Sequence, residues 1–156
     1  MAKATFGAGC FWGVELRFQQ EPGVLETAVG YEGGQMEKPT YKDVCTDRTG
    51  HAEVVEIDFD PARVSYQRLL DLFFELHDPT QLNRQGPDWG TQYRSAVFFH
   101  DAEQEKAAKE MIEKLTAEKR FAKQIVTQVV PAETFWRAEE YHQKYLEKRG
   151  AVSCHI

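Results

Sequence analysis

Cys10, held between Gly9 and Gly13 where the run Lys3 to Gly9 gives way to Phe11-Trp12, is the residue of this chain best placed for chemistry. A thiol at the start of a helix meets backbone N–H groups without partners and the positive end of the helix dipole, and both favour the thiolate. Gly9 leaves room for a substrate to approach the sulfur, and Phe11 and Trp12 set two large aromatics beside it. A second candidate lies in Glu53-Val54-Val55-Glu56-Ile57-Asp58-Phe59. Strand alternation puts Val55, Ile57 and Phe59 on one face, Glu56 and Asp58 on the other, and Glu53 on the apolar face. Desolvation there raises the carboxyl's pKa, so that it holds a proton near neutrality as a general acid must. Each residue has a plainer reading beside this one. Cys10 is then a small buried hydrophobe with Phe11 and Trp12 as core, and Glu53 a frayed strand end that reaches water.

The remaining reactive side chains narrow the field. Cys45, Cys154 and the five histidines show neither CxxC nor HxxxH spacing, so no metal site is expected. Gly30-Tyr31-Glu32-Gly33-Gly34 has neither GxGxxG spacing nor a following GK[ST], so no nucleotide loop is expected. An odd number of cysteines and no charged and apolar leader argue against a secreted disulfide scaffold and for a reducing cytoplasm. Twenty-five acidic residues against nineteen Lys and Arg give a net charge of -6, which offers no footprint for nucleic acid or an anionic membrane. Apolar stretches such as Leu72-Phe73-Phe74 fall far short of the roughly 20 residues that cross a bilayer. With 156 residues, 42% hydrophobic and 28% charged, the chain reads as one packed domain over 1–156.

The elements that must position these groups follow from local pattern. A strand from Lys3 to Gly9 leads to a helix from Phe11 to Gln20, stopped by Pro22-Gly23. Leu25 to Tyr31 reads as a strand, Gly33 to Gly50 as a long loop of the kind that is usually functional, and Ala52 starts the alternating strand. Ser65 caps a helix through Leu76 with Leu69, Leu70, Phe73 and Phe74 on one face. Pro79 to Tyr93 is irregular, and Ser95 to His100 is a strand. Asp101 caps a long helix whose buried stripe is Ala107, Ala108, Met111, Ile112 and Leu115. Ile125 to Val130 is expected as a last strand broken by Pro131, and Phe135 to Lys148 as a final helix closed by Gly150. Strands interspersed with helices predict an α/β or α+β two-layer sandwich.

Six motifs, in order, resemble those of the peptide methionine sulfoxide reductase A family: Gly9-Cys10-Phe11-Trp12-Gly13, Gly30-Tyr31-Glu32-Gly33-Gly34, Pro39-Thr40-Tyr41, Gly50-His51-Ala52-Glu53, His77-Asp78-Pro79-Thr80-Gln81 and Asp88-Trp89-Gly90-Thr91-Gln92-Tyr93-Arg94-Ser95. The resemblance implies a central mixed sheet with flanking helices, related to the ferredoxin-like plan, and reduction of methionine S-sulfoxide, free or in proteins. It implies that Cys10 attacks the sulfoxide sulfur and Glu53 protonates the oxygen. Tyr41 and Tyr93 bind that oxygen with Asp88 grouped beside them, and Phe11 and Trp12 wall the ε-methyl group. Departure of the oxygen leaves a sulfenic acid on Cys10, which condenses with a neighbouring thiol. Cys154, on a tail over 149–156 that no helix or strand pattern restrains and that is therefore expected to be mobile, is the implied resolving cysteine. The resulting Cys10–Cys154 redox disulfide passes to thioredoxin through a mixed disulfide, so the reductant is an external dithiol and no bound cofactor is implied. Cys45 is read as a bystander, and the protein as a monomer. The departures are small: Pro87 precedes Asp88 where a polar residue is expected, which puts that loop's geometry in question, and Trp89 is bulky at a variable position.

Two other readings stand beside the reductase. A thiol peroxidase or redox sensor shares the reactive cysteine, the sulfenic acid and the resolving partner, and is told apart by consuming hydrogen peroxide in preference to methionine sulfoxide. A non-catalytic module that binds methionine-containing peptides through Phe11 and Trp12 leaves Cys10 dispensable.

Overall fold

The computed structural model describes residues 2–148. Strand β1 (Ala2–Ala8) enters helix α1 (Phe11–Gln19), and β2 (Val24–Glu32) is followed by a short helix α2 (Tyr41–Cys45) and by β3 (Ala52–Phe59). Helix α3 (Tyr66–Glu75) leads through the hairpin β4 (Arg84–Gln85) and β5 (Asp88–Trp89) to β6 (Ser95–Phe99). The chain then forms α4 (Ala102–Ala117), β7 (Gln128–Pro131), β8 (Trp136–Arg137) and α5 (Tyr145–Lys148). Six strands make a mixed sheet in the order β7-β6-β1-β3-β2-β8, in which only β6 and β7 run parallel. The inner four, β6-β1-β3-β2, are antiparallel and linked by α1 and α3 as two interleaved βαβ crossovers, a split βαβ arrangement.

Alternation divides the sheet into two faces. Ala4, Phe6, Val29, Tyr31, Val55, Ile57 and Val97 join Phe18 of α1, Leu69, Leu70 and Phe73 of α3, and Ala108 and Leu115 of α4 in the main core. Ala52, Val54, Ala96 and Phe98 point the other way, covered by Val130, Ala132 and Phe135. Glu53 has the parity of Val55 and Ile57, so it lies on the helix-covered face, opposite Tyr31 in the β2–β3 ladder.

Three local expectations give way to the tertiary structure. The loop between Gly33 and Gly50 contains α2, opened by a capping box: Thr40 Oγ1 accepts from the Asp43 N–H at 3.2 Å, and the Thr40 N–H donates to Asp43 Oδ2 at 3.0 Å. Pro131 does not break the last strand but ends it, paired with Phe99, because an edge strand needs no outward N–H donor. The predicted helix from Phe135 to Lys148 is absent over most of its length and is replaced by β8, a 3-10 turn over Glu140–His142 and the single turn of α5. The β2 edge takes its hydrogen bonds. The Ala138 N–H donates to Val29 O, while Gln143 accepts from the Val29 N–H and donates to Val29 O, each at 2.9 Å. The Lys144 N–H goes to the buried carboxylate of Glu15 at 2.6 Å, and with these groups committed outside the segment an i→i−4 ladder cannot form.

Candidate active site

Gly9, at φ +98°, turns the chain out of β1, and Cys10 takes the N-cap position of α1. The Trp12 and Gly13 N–H groups reach the Cys10 sulfur and favour its ionisation, as the junction predicts. They do not prevail. Burial pushes the thiol up to about 12, with the charges of Glu53 and then Asp88 acting in the same direction. The resting nucleophile is therefore a thiol, which corrects the expectation of a thiolate. Two amides of a nine-residue helix do not offset the desolvation of an anion in this wall.

Glu53 is only 2% exposed. Its Oε1 accepts from the N–H of Phe11 at 3.3 Å, which places the carboxyl beside the first turn of α1 and next to Cys10. Burial raises its pKa to about 8; the Phe11 N–H and Gln92 oppose this, and the charge of Asp88 adds to it. At neutral pH the group is a carboxylic acid. Its Oε2 is buried without a hydrogen-bond partner among the described residues. A protonated oxygen of this kind is a proton donor with no internal acceptor.

Hydroxyls from two loops complete the polar side. Tyr41 begins α2, and Tyr93 ends a 3-10 turn over Thr91–Tyr93. Burial raises both pKa values, and the charge of Glu53 acts on each, so the three groups share one electrostatic environment. Asp88, in β5, acts on Cys10, Glu53 and Tyr93 alike. Its hairpin closes over Gly86-Pro87 with Gln85 opposite Asp88, so Pro87 is accommodated at the turn. The hairpin leans on Gly9, where a Cβ would lie 2.9 Å from Gln85 Cγ.

The apolar side is an aromatic wall. Phe11 is buried and meets Tyr31 and His142 with ring centroids 5.8 and 5.3 Å apart. Trp12 Nε1 donates to His142 Nδ1 at 3.0 Å, and Tyr145 stacks on Trp12 at 3.9 Å. The His142 ring also packs 4.5 Å from that of Tyr41. Cys10, Phe11, Trp12, Tyr41, Glu53, Asp88 and Tyr93 are thus brought into one neighbourhood from β1–α1, α2, β3, β5 and the turn before β6. Cys154 and the tail over 149–156 lie outside the described residues. Cys45 is exposed on α2, its sulfur 3.7 Å from Gln92 Nε2 and within hydrogen-bonding reach of the Tyr41 hydroxyl. Sequence reasoning did not find Gln92, Glu139, His142 or Tyr145. The last three lie in the segment read as a final helix, and its docking along β2 in a non-helical form brings them to the site. Among the described residues no group of three or more His, Cys, Asp or Glu could hold a metal ion, and no helix is long and apolar enough to cross a membrane.

A thiol beside a neutral acid, backed by two phenols and faced by aromatics, defines a site for thiol chemistry on a polar group attached to an apolar one. The comparisons agree. The profile of the family described as "Peptide methionine sulfoxide reductase" matches residues 2–156. "Peptide methionine sulfoxide reductase MsrA" of Acidobacterium capsulatum is 70% identical, with all of both chains covered. Mxr1 of Saccharomyces cerevisiae in reduced form superposes with a TM-score of 0.90 at 36% identity, covering 99% of this chain and 91% of its own. The same yeast protein in complex with Trx2 shares the fold, with a TM-score of 0.65 at 23% identity over 92% of this chain and 84% of its own. The chain belongs to the peptide methionine sulfoxide reductase family, and thiol-dependent reduction of methionine sulfoxide is its activity.

Proposed function

We propose that Glu53 protonates the sulfoxide oxygen of methionine S-sulfoxide while Cys10 attacks the sulfur, and that Cys154 then resolves the oxidised Cys10. The observation that carries this reading is the Glu53 carboxyl, buried, held by Phe11 beside Cys10, with an unpartnered Oε2. A sulfoxide oxygen is a poor leaving group until protonated, and an acid with a pKa near 8 supplies that proton at neutral pH. Tyr41 and Tyr93 bind the same oxygen, Asp88 supports the group, and Phe11 and Trp12 hold the ε-methyl group so that one epimer fits.

The steps balance. Attack of the Cys10 thiol on the sulfoxide sulfur forms an S–S bond as the protonated oxygen leaves as water. Return of water to the Cys10 sulfur breaks that S–S bond and gives methionine, its sulfur reduced by two electrons, and a Cys10 sulfenic acid, oxidised by two. The sulfenic acid and the Cys154 thiol give a disulfide and water. A dithiol reduces that disulfide by exchange, and we assign thioredoxin to this role, supported by the complex of yeast Mxr1 with Trx2. No bound cofactor is needed, and the setting is a reducing cytoplasm with a monomeric enzyme. Tyr145 stacks on Trp12, and Cys154 is only six positions beyond Lys148, about 20 Å when fully extended.

The test is a thiol titration before and after one equivalent of methionine S-sulfoxide, with peptide mapping of the disulfide and hydrogen peroxide as the competing oxidant. Joint loss of the Cys10 and Cys154 thiols with formation of methionine is the expected result. A disulfide elsewhere, or preferential consumption of peroxide, overturns it. Cys10→Ser should abolish reduction, whereas Cys154→Ser should complete about one turnover and stall.

A further inference from the structure

The carboxylate of Glu139 gathers groups from three separate parts of the chain. Oε1 accepts from the Tyr31 hydroxyl of β2 at 3.0 Å, and Oε2 accepts from the backbone N–H of Tyr41 at 3.0 Å and from the Tyr141 hydroxyl at 3.5 Å. We propose that Glu139 is a positioning residue for the reductase, fixing Tyr41, and with it the phenol that binds the sulfoxide oxygen, against the Phe11–Tyr31 wall. The inference rests on the reading of Tyr41 given above and assigns a function to a residue that does not itself touch substrate.

Geometry carries it. Tyr41 is the first residue of α2, and the first N–H groups of a helix have no partner within it. The capping box of Thr40 serves the amides of Thr40 and Asp43 and leaves that of Tyr41 to a residue 98 positions away. A five-residue helix in a long loop has little stability of its own, so the direction of its first side chain depends on such anchors. The other oxygen of the same carboxylate holds Tyr31, which is fully buried and packed against Phe11. One side chain therefore ties the polar wall to the apolar wall. Burial works against ionisation of Glu139, but the Tyr41 N–H, its own N–H and the Tyr31 hydroxyl outweigh it, and its pKa falls below the usual carboxylate value.

An amide fills this place only by making the Tyr31 hydroxyl an acceptor and by giving up the charge on the carboxylate. Glu139→Gln keeps the shape but turns one acceptor oxygen into a donor, which must then face either the Tyr41 N–H or the Tyr31 hydroxyl. The experiment is a double-mutant cycle of Glu139→Gln and Tyr41→Phe in the full chain, read as the single-turnover rate of methionine formation at saturating sulfoxide, with thermal melts alongside. Each single change should slow the step about tenfold, and the double variant should be no slower than the slower single. A loss of purely structural origin leaves the two effects independent and multiplies them, which overturns the proposal, as does a wild-type rate for Glu139→Gln. A wild-type rate for Tyr41→Phe shows instead that Tyr41 is not a ligand of the oxygen, and both readings fall. Should Glu139→Gln not fold, Glu139→Asp, which keeps the charge but is one methylene short of bridging both donors, replaces it in the same cycle and with the same expected coupling.

Discussion

The backbone N–H of Phe11 donates to Glu53 Oε1, joining the residue after the thiol to a carboxyl 42 positions further along the chain. One oxygen of Glu53 is thereby fixed to the start of α1, and the other, Oε2, is left buried and unpaired. The bond sets the distance between nucleophile and acid, and the environment of Oε2 decides that the acid keeps its proton.

Glu53→Gln should slow sulfoxide reduction by about 10²–10⁴-fold, the usual contribution of a positioned acid. In the wild type the step should fall off above about pH 8 as Glu53 loses its proton, and in the variant that limb should be gone. Single-turnover rates between pH 6 and 9.5 check both. An unchanged rate removes Glu53 from the acid role.

The same substitution should stabilise the fold. Glu53 ionises near its ordinary value in the unfolded chain but only near 8 in the folded one, so the folded state binds more protons between these values and stability falls as pH rises. Glu53→Gln should therefore match the wild type below about pH 4.5 and exceed it at pH 7 by up to about 3 kcal/mol. Urea midpoints at the two pH values measure the difference. Equal midpoints at pH 7 contradict the burial of an ionisable group at this cost.

His77 acts with the opposite sign. Burial lowers its pKa to about 4, against the Phe73 carbonyl and Asp78. Its Nδ1–H donates to Phe73 O and its Nε2 accepts from Ser95 Oγ at 2.7 Å, linking the end of α3 to β6. The unfolded chain takes up a proton near pH 6.5, so stability is full above that value and is lost toward pH 4, by up to about 3 kcal/mol. His77→Gln should flatten this part of the pH profile, seen as a smaller drop in urea midpoint between pH 7 and 4.5 than in the wild type.

Gly34→Ala should loosen the loop that carries Tyr41. A Cβ there would sit 2.4 Å from both His51 N and Thr49 O, which are backbone atoms and cannot rotate away. Overpacking of this kind costs about 1–3 kcal/mol. It also pulls against His51, whose Nδ1 accepts the Gly34 N–H and whose Nε2 donates to Met36 O. A lowered melting temperature together with a slowed sulfoxide step is expected; a wild-type melting temperature counts against the close approach.

Much of the frame was legible because its signals are local. The alternation of β3, the Ser65 and Asp101 caps and the stripe of α4 each depend on residues a few positions apart. The structure reproduces the alternation and the caps, and of the stripe it buries Ala108 and Leu115 and leaves Ala107, Met111 and Ile112 half-buried against the core. The last fourteen described residues were not legible. Ala138-Glu139-Glu140-Tyr141-His142-Gln143-Lys144 has the composition of a helix, and nothing within it records that Val29 and Glu15 wait to take its hydrogen bonds. Misreading that segment hid His142, Tyr145 and Glu139 from the site.

By itself the sequence placed the thiol at a strand-to-helix junction after a glycine and put Glu53 on the apolar face of its strand, because both follow from the two-residue and 3.6-residue periods of the chain. It left open whether that strand end reaches water, and the structure buries it. Only the tertiary structure decided their protonation. The local rule pointed to a thiolate at a helix N-terminus, and burial against Glu53 and Asp88 reversed it, because the free energy of a charge depends on everything packed around it and not on the element that carries it.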